Sequence, residues 1–213
     1  MPEEGVSKFV LHYTHMPAGS VDLPEALNQW RSRLWQHRLI GYLAASGGGI
    51  GYGNVSRRIQ TGLSGAGFRG FIISGTQTGA LAMLDASQYC LVTDWDAEQN
   101  RVTAQGPVRP SSEALTHGML YDLDADINVV FHVHSATIWQ AARRLGLATT
   151  KPAVAYGTPE MASEVARLYR NADFTRQTVF AMGGHRDGIV AFGPDEETAG
   201  RALLETLEHS QRL

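Results

Sequence analysis

The sequence predicts one mixed α/β domain in which helices pack on a central sheet. Three observations carry that reading. Apolar residues make up 43% and charged residues 18% of the 213-residue chain, the composition of a globular protein and far from that of a disordered one. Stretches of helical apolar spacing and short strand-like runs interleave, and from Ser112 onward helix and strand alternate. No linker, composition shift or internal repeat divides the chain, and 213 residues suit one sizeable domain at roughly 150 residues each.

Val21 to Ala45 reads as a helix. Asp22 is placed to cap it, Pro24 suits its first turn, and Leu27, Trp30, Leu34 and then Leu39 to Leu43 form an apolar stripe that runs out in Gly47-Gly48-Gly49. Asn54 to Ile59, Gly70 to Ser74 and Tyr89 to Thr93 read as strands between Gly, Ser and Thr turns. A helix is expected from Ser112 to about Leu123, then an apolar strand from Ile127 to His134 and a helix from Ala136 to Leu145. Thr158-Pro159-Glu160 opens another helix; Thr178 to Met182 and Gly188 to Phe192 read as strands, and Pro194 to Leu207 as the closing helix.

Eighteen Lys plus Arg against 21 Asp plus Glu give a formal charge of -3, which supplies no positive field for nucleic acid or an anionic membrane. Leu39 to Ser56 carries no charge, yet its six glycines and two serines make it no membrane span. The start Met-Pro-Glu-Glu lacks the basic and apolar stretches of a signal peptide, and the single Cys90 cannot form an intrachain disulfide. A cytoplasmic location is the expectation.

Phe131-His132-Val133-His134 closes a strand, and side chains two apart on a strand share a face, so both imidazoles are directed to one site. Val129, Phe131 and Val133 cover the other face, which makes the strand buried on both sides and its histidines in need of strong partners. A metal ion is such a partner, and two core histidines bonded to backbone or carboxylate are the equal alternative. His185 lies in the glycine-flanked turn Met182 to Gly188, and a solvated turn residue is the bland reading of it. Glu113 falls in the first turn of a helix that Ser111 and Ser112 are placed to cap, an ordinary helix start that also favours an anion. His117, one turn on, is a competing ligand or the surface partner of Glu113. The glycines from Gly47 to Asn54 match neither GxGxxG nor GxxxxGK[ST], and Cys90 reads as a buried structural thiol.

Gly53-Asn54-Val55-Ser56, Thr76-Gln77-Thr78-Gly79, Arg109-Pro110-Ser111-Ser112-Glu113, His132-Val133-His134-Ser135 and Gly184-His185 stand in the order of the class II aldolase/adducin family, which the chain resembles from about residue 22 on. The resemblance leaves 1–21 as an N-terminal extension. It implies a three-layer α/β/α fold with a mixed, largely antiparallel sheet. It implies that His132, His134 and His185 hold a divalent metal, most often zinc with manganese or cobalt as alternatives, and that Glu113 is the catalytic acid/base and a further metal ligand when substrate is absent. Gly53, Asn54, Thr78, Gly79, Ser111 and Ser112 fall on the positions that hold the substrate phosphate.

The implied activity is a metal-dependent retro-aldol lyase acting on a small hydroxy-ketone or sugar phosphate through an enediolate that the metal stabilises, with a homotetramer as the assembly. A dehydratase, decarboxylase or epimerase of the same family is the alternative, although its epimerases usually carry aspartate at position 113. A non-catalytic adducin-like binding domain is the third reading, against which the intact histidines and Glu113 argue. No tyrosine follows Tyr169, where the sugar-phosphate aldolases carry a proton-donating one, so another donor is expected. Tyr156, in the loop-like Ala155-Tyr156-Gly157, is the candidate, with a packing role as its plainer reading. Only Lys8 and Lys151 are present, and neither lies near these motifs, which leaves no Schiff-base lysine.

Overall fold

A computed structural model describes residues 7–19, 23–44, 49–59, 69–171 and 177–213. In chain order its elements are β1 (Val10–His15), α1 (Glu25–Gln36), β2 (Gly41–Leu43), β3 (Ile50–Tyr52), β4 (Asn54–Arg58), β5 (Phe71–Ser74), β6 (Tyr89–Asp96), β7 (Arg101–Gly106), α2 (Ala114–Leu123), β8 (Val129–His134), α3 (Ala136–Ala141), β9 (Ala148–Thr149), α4 (Pro159–Asn171), β10 (Val179–Ala181), β11 (Gly188–Gly193) and α5 (Glu196–Gln211). Among the described residues one nine-stranded sheet runs β1-β7-β6-β5-β4-β8-β11-β10-β9, and β2 and β3 form a separate hairpin. The sheet is mixed and largely antiparallel, with parallel pairs at its two edges, β1 on β7 and β9 on β10.

Helices cover both faces, as the three-layer expectation requires. On one face α2 and α4 supply Leu115, Leu120, Met161 and Val165 to a core shared with Phe71, Val92 and Val190. On the other, α1, α3 and α5 bring Leu27, Leu34, Ile138 and Leu203 against Val55, Phe131 and Ile189. Strand β8 lies between β4 and β11, so its backbone pairs on both sides and its first five residues are buried. Its alternate residues serve the two cores: Val129, Phe131 and Val133 face α1, α3 and α5, while Val130 faces α2.

The helix expected over Val21 to Ala45 is shorter. Arg38 takes a left-handed conformation (φ 58°), and the amides of Arg38 and Leu39 turn back to the carbonyls of Trp35 and Leu34 at 2.9 Å, which closes α1 at Gln36. Leu39 to Leu43 is apolar for another reason: Leu39 and Ile40 are buried under the sheet, and Gly41–Leu43 pairs with Ile50–Tyr52. Pro24 is the residue before α1, and Asp22, Ala45, Gly47 and Gly48 lie outside the described residues. The helix expected from Ala136 to Leu145 ends at Ala141, and the closing helix starts at Glu196, capped by Asp195, whose carboxylate accepts from the Thr198 amide at 2.7 Å.

Phe131 is fully buried at the middle of β8, with the Trp30 ring 6.5 Å away. Phe131→Ala should lower unfolding stability by about 3–5 kcal/mol, read as a shift in denaturant midpoint at unchanged slope.

Candidate metal centre

Five segments meet at one end of the sheet. β8 ends in His134, β4 begins at Asn54 opposite His132, the turn between β10 and β11 carries His185, α2 is preceded by Glu113, and the turn after β5 carries Thr78 and Gly79. The three imidazoles converge: their candidate ligand atoms all lie within 4.8 Å of one another, and their ring centroids are 4.8 to 5.1 Å apart. His132 is 2% and His185 is 7% exposed. Burial, and then the neighbouring His185 and His134, hold the His132 imidazole well below the usual histidine range, so it is neutral and ready to donate a lone pair. Its Nδ1 is buried without a hydrogen-bond partner among the described residues.

Glu113 stands beside this cluster. It is the residue before the first turn of α2, one position earlier than expected, and it makes no side-chain cap of its own. The Ser111 hydroxyl accepts from its amide at 3.4 Å, and its Oε2 accepts from the Thr116 hydroxyl at 2.9 Å. That contact fixes one oxygen and leaves Oε1, buried and without a hydrogen bond among the described residues, 3.4 Å from His185 Nδ1. Three imidazoles and an adjacent carboxylate oxygen form a donor set that fits a divalent cation such as zinc, manganese or cobalt.

One cleft contains Gly53, Asn54, Thr78, Gly79, Ser111, Ser112, Glu113, His132, His134 and His185, the residues that the family resemblance marks. Asn54 Oδ1 is buried and has no partner among the described residues. Gly53 has φ +79°, and a Cβ there would sit 2.8 Å from the Ile40 side chain, so glycine is required where the hairpin enters β4. At Gly79 a Cβ would lie 2.1 Å from the Gly41 carbonyl oxygen, because the β2–β3 hairpin rests directly on that turn.

The structure corrects one expectation. His117 is neither at the surface nor paired with Glu113: it is fully buried, pushed down to about 3 by burial, and its Nδ1 lies 2.6 Å from the Ser56 hydroxyl, which is itself 2.6 Å from the Tyr121 hydroxyl. Cys90 is buried as expected, its thiol pushed up to about 12 by desolvation. Tyr156 lines the cleft, 3% exposed, with its ring stacked on His185 at 4.5 Å and Lys8 Nζ 3.8 Å from its centroid. Tyr52 also lines the cleft and carried no signal in the sequence beyond its neighbouring glycines; Gln77, from the Thr76 to Gly79 motif, lines it too, and its Oε1 accepts from the Gly51 amide at 3.0 Å.

Residues 48–213 match the family model described as Class II Aldolase and Adducin N-terminal domain. The chain belongs to that family. No curated protein matches it. Among solved structures, YgbL from Escherichia coli, described as an aldolase/epimerase/decarboxylase candidate, is 20% identical with a TM-score of 0.60 over 89% of this chain and 86% of its own. L-fuculose-1-phosphate aldolase from Thermus thermophilus is 18% identical with a TM-score of 0.59 over 87% and 89%. A sugar-phosphate aldolase from Thermotoga maritima is 15% identical with a TM-score of 0.61 over 87% and 91%. At these identities the likeness speaks for the fold.

The turn that carries His185 is clamped by the segment from Thr150 to Val154. A Cβ on Gly184 would fall 1.9 Å from the Val154 carbonyl oxygen, backbone that has no easy route away. Gly184→Ala should displace His185 and lower bound metal severalfold in purified protein, as counted by mass spectrometry, with a loss of thermal stability of about 1–3 kcal/mol.

Proposed function

We propose that the protein is a metal-dependent lyase that cleaves a carbon–carbon bond of a small hydroxy-ketone or sugar phosphate by a retro-aldol step. The observation that carries this reading is the convergence of His132, His134 and His185 on one point with Glu113 Oε1 beside them, at the end of a cleft lined by polar groups. Class II aldolases depend on a divalent metal, and a histidine cluster of this kind suits zinc, with manganese or cobalt as the other fits. When bound, the cation supplies Lewis acidity for the oxygens of a chelating hydroxy-ketone.

The protein's own groups do the rest. Imidazoles bind a cation in their neutral form and would add no charge of their own, which would leave a bound cation's double charge available to the substrate. Thr116 orients Glu113 through Oε2 and leaves Oε1 to carry a proton to and from the carbon next to the carbonyl. In the absence of substrate the same oxygen is placed to join the histidines as a ligand. Gly53, Asn54, Thr78, Gly79, Ser111 and Ser112 hold the substrate's phosphate end, the one role their backbone amides and short polar side chains share. The fold is one domain, and the working assembly is a homotetramer, which light scattering should show as four times the mass of one chain.

A second reading keeps the same residues and changes the reaction to decarboxylation, dehydration or epimerisation, and the likeness to YgbL favours keeping it in view. A purely protein-binding role is disfavoured, because a scaffold has no use for a buried cluster of incompletely bonded polar groups.

Glu113→Gln is nearly isosteric and should retain the metal while lowering kcat by about 10²–10⁴-fold on whichever hydroxy-ketone phosphate the parent cleaves. Metal content by mass spectrometry and turnover by release of the aldehyde product check the two halves of that statement. Turnover near the parent rate would remove Glu113 from the mechanism.

A further inference from the structure

Arg31 is a buried cation that the chemistry above leaves unused. It lies on α1, is 1% exposed, and has no carboxylate partner among the described residues. Its guanidinium donates to two backbone carbonyls of one turn, Thr78 O at 2.9 Å and Leu81 O. Removing a charge from water without a counter-ion is expensive, and carbonyl dipoles offset only part of that. The same turn forms one wall of the cleft through Thr76, Gln77, Thr78 and Gly79, and neither Lys nor Arg is among the described residues that line it.

We propose that Arg31 is a specificity-determining positioning residue, which fixes this turn from behind and adds positive charge that favours substrates bearing a phosphate group. The proposal deepens the lyase reading and rests on its assignment of the phosphate end. Two physical effects act together. A guanidinium bonded to the Thr78 carbonyl polarises the peptide that this carbonyl shares with the Gly79 amide, and so strengthens that N–H as a donor. Arg31 is also 1% exposed, so water screens its charge only weakly.

The test is a calorimetric titration of inorganic phosphate into the full chain as purified, comparing the parent with Arg31→Met and reading metal content and Tm on the same samples. Phosphate should bind the parent and bind Arg31→Met about tenfold more weakly at equal metal content, a loss of ~1.4 kcal/mol. Arg31→Lys, which restores the charge, should recover part of the affinity, a rescue that a purely structural role would not give. Arg31→Gln replaces Arg31→Met if the latter does not fold, since its amide still reaches a carbonyl without a charge. Equal phosphate affinity in the parent and the uncharged variant overturns the proposal, as does a parent that binds no phosphate at millimolar concentration. A parent that binds phosphate in an Arg31-dependent way but no metal defeats the lyase reading and leaves this one standing.

Discussion

Desolvation of polar side chains on β8 is the constraint around which the rest is arranged. The strand pairs on both sides and is covered by helices on both faces, so His132 leaves water almost completely. A neutral imidazole bears that environment where a charged one does not, and burial together with the adjacent histidines keeps His132 neutral. His185 and Glu113 are brought to the same place by a turn and a helix start, each held by short contacts of its own. A cluster that binds a cation through lone pairs is the arrangement in which such burial becomes useful.

Close backbone approach is the means by which separate segments reach one point. The hairpin of β2 and β3 rests on the turn at Gly79, the turn at Gly183 and Gly184 rests on the segment from Thr150 to Val154, and glycine is what lets them touch. Twenty-three glycines in 213 residues exceed the usual ~7%, and several of the excess stand at these contacts. Rigidity at such contacts matters because ligand geometry tolerates little error, and the Thr150 hydroxyl adds a 2.9 Å bond from the Gly183 amide.

The histidine strand was legible because two signals agree there: alternation places His132 and His134 on one face, and the apolar residues between them declare burial. The residues that the family resemblance marks for the site all line one cleft. The end of α1 was illegible because Leu39 to Leu43 continues an apolar run, and only the left-handed turn at Arg38 reveals that the chain leaves the helix. Strand β1 escaped because its residues are largely exposed at a sheet edge, and β7 because its inward residues, Val102, Ala104 and Gly106, are mostly small. His117 was misplaced because its partner, Ser56, lies 61 residues away in the chain and reaches it only through the fold. Arg31 gave no signal for the same reason, since its carbonyl partners lie 47 and 50 residues on.

The central claim is that His132, His134 and His185 together bind one divalent cation. X-ray absorption on natively purified protein, with metal content counted on the same sample, tests it most directly. The account predicts about one zinc, manganese or cobalt ion per chain, with imidazole nitrogens at ~2.0–2.1 Å from zinc. Protein that holds no metal after reloading, or metal whose spectrum shows no imidazole ligands, would contradict it.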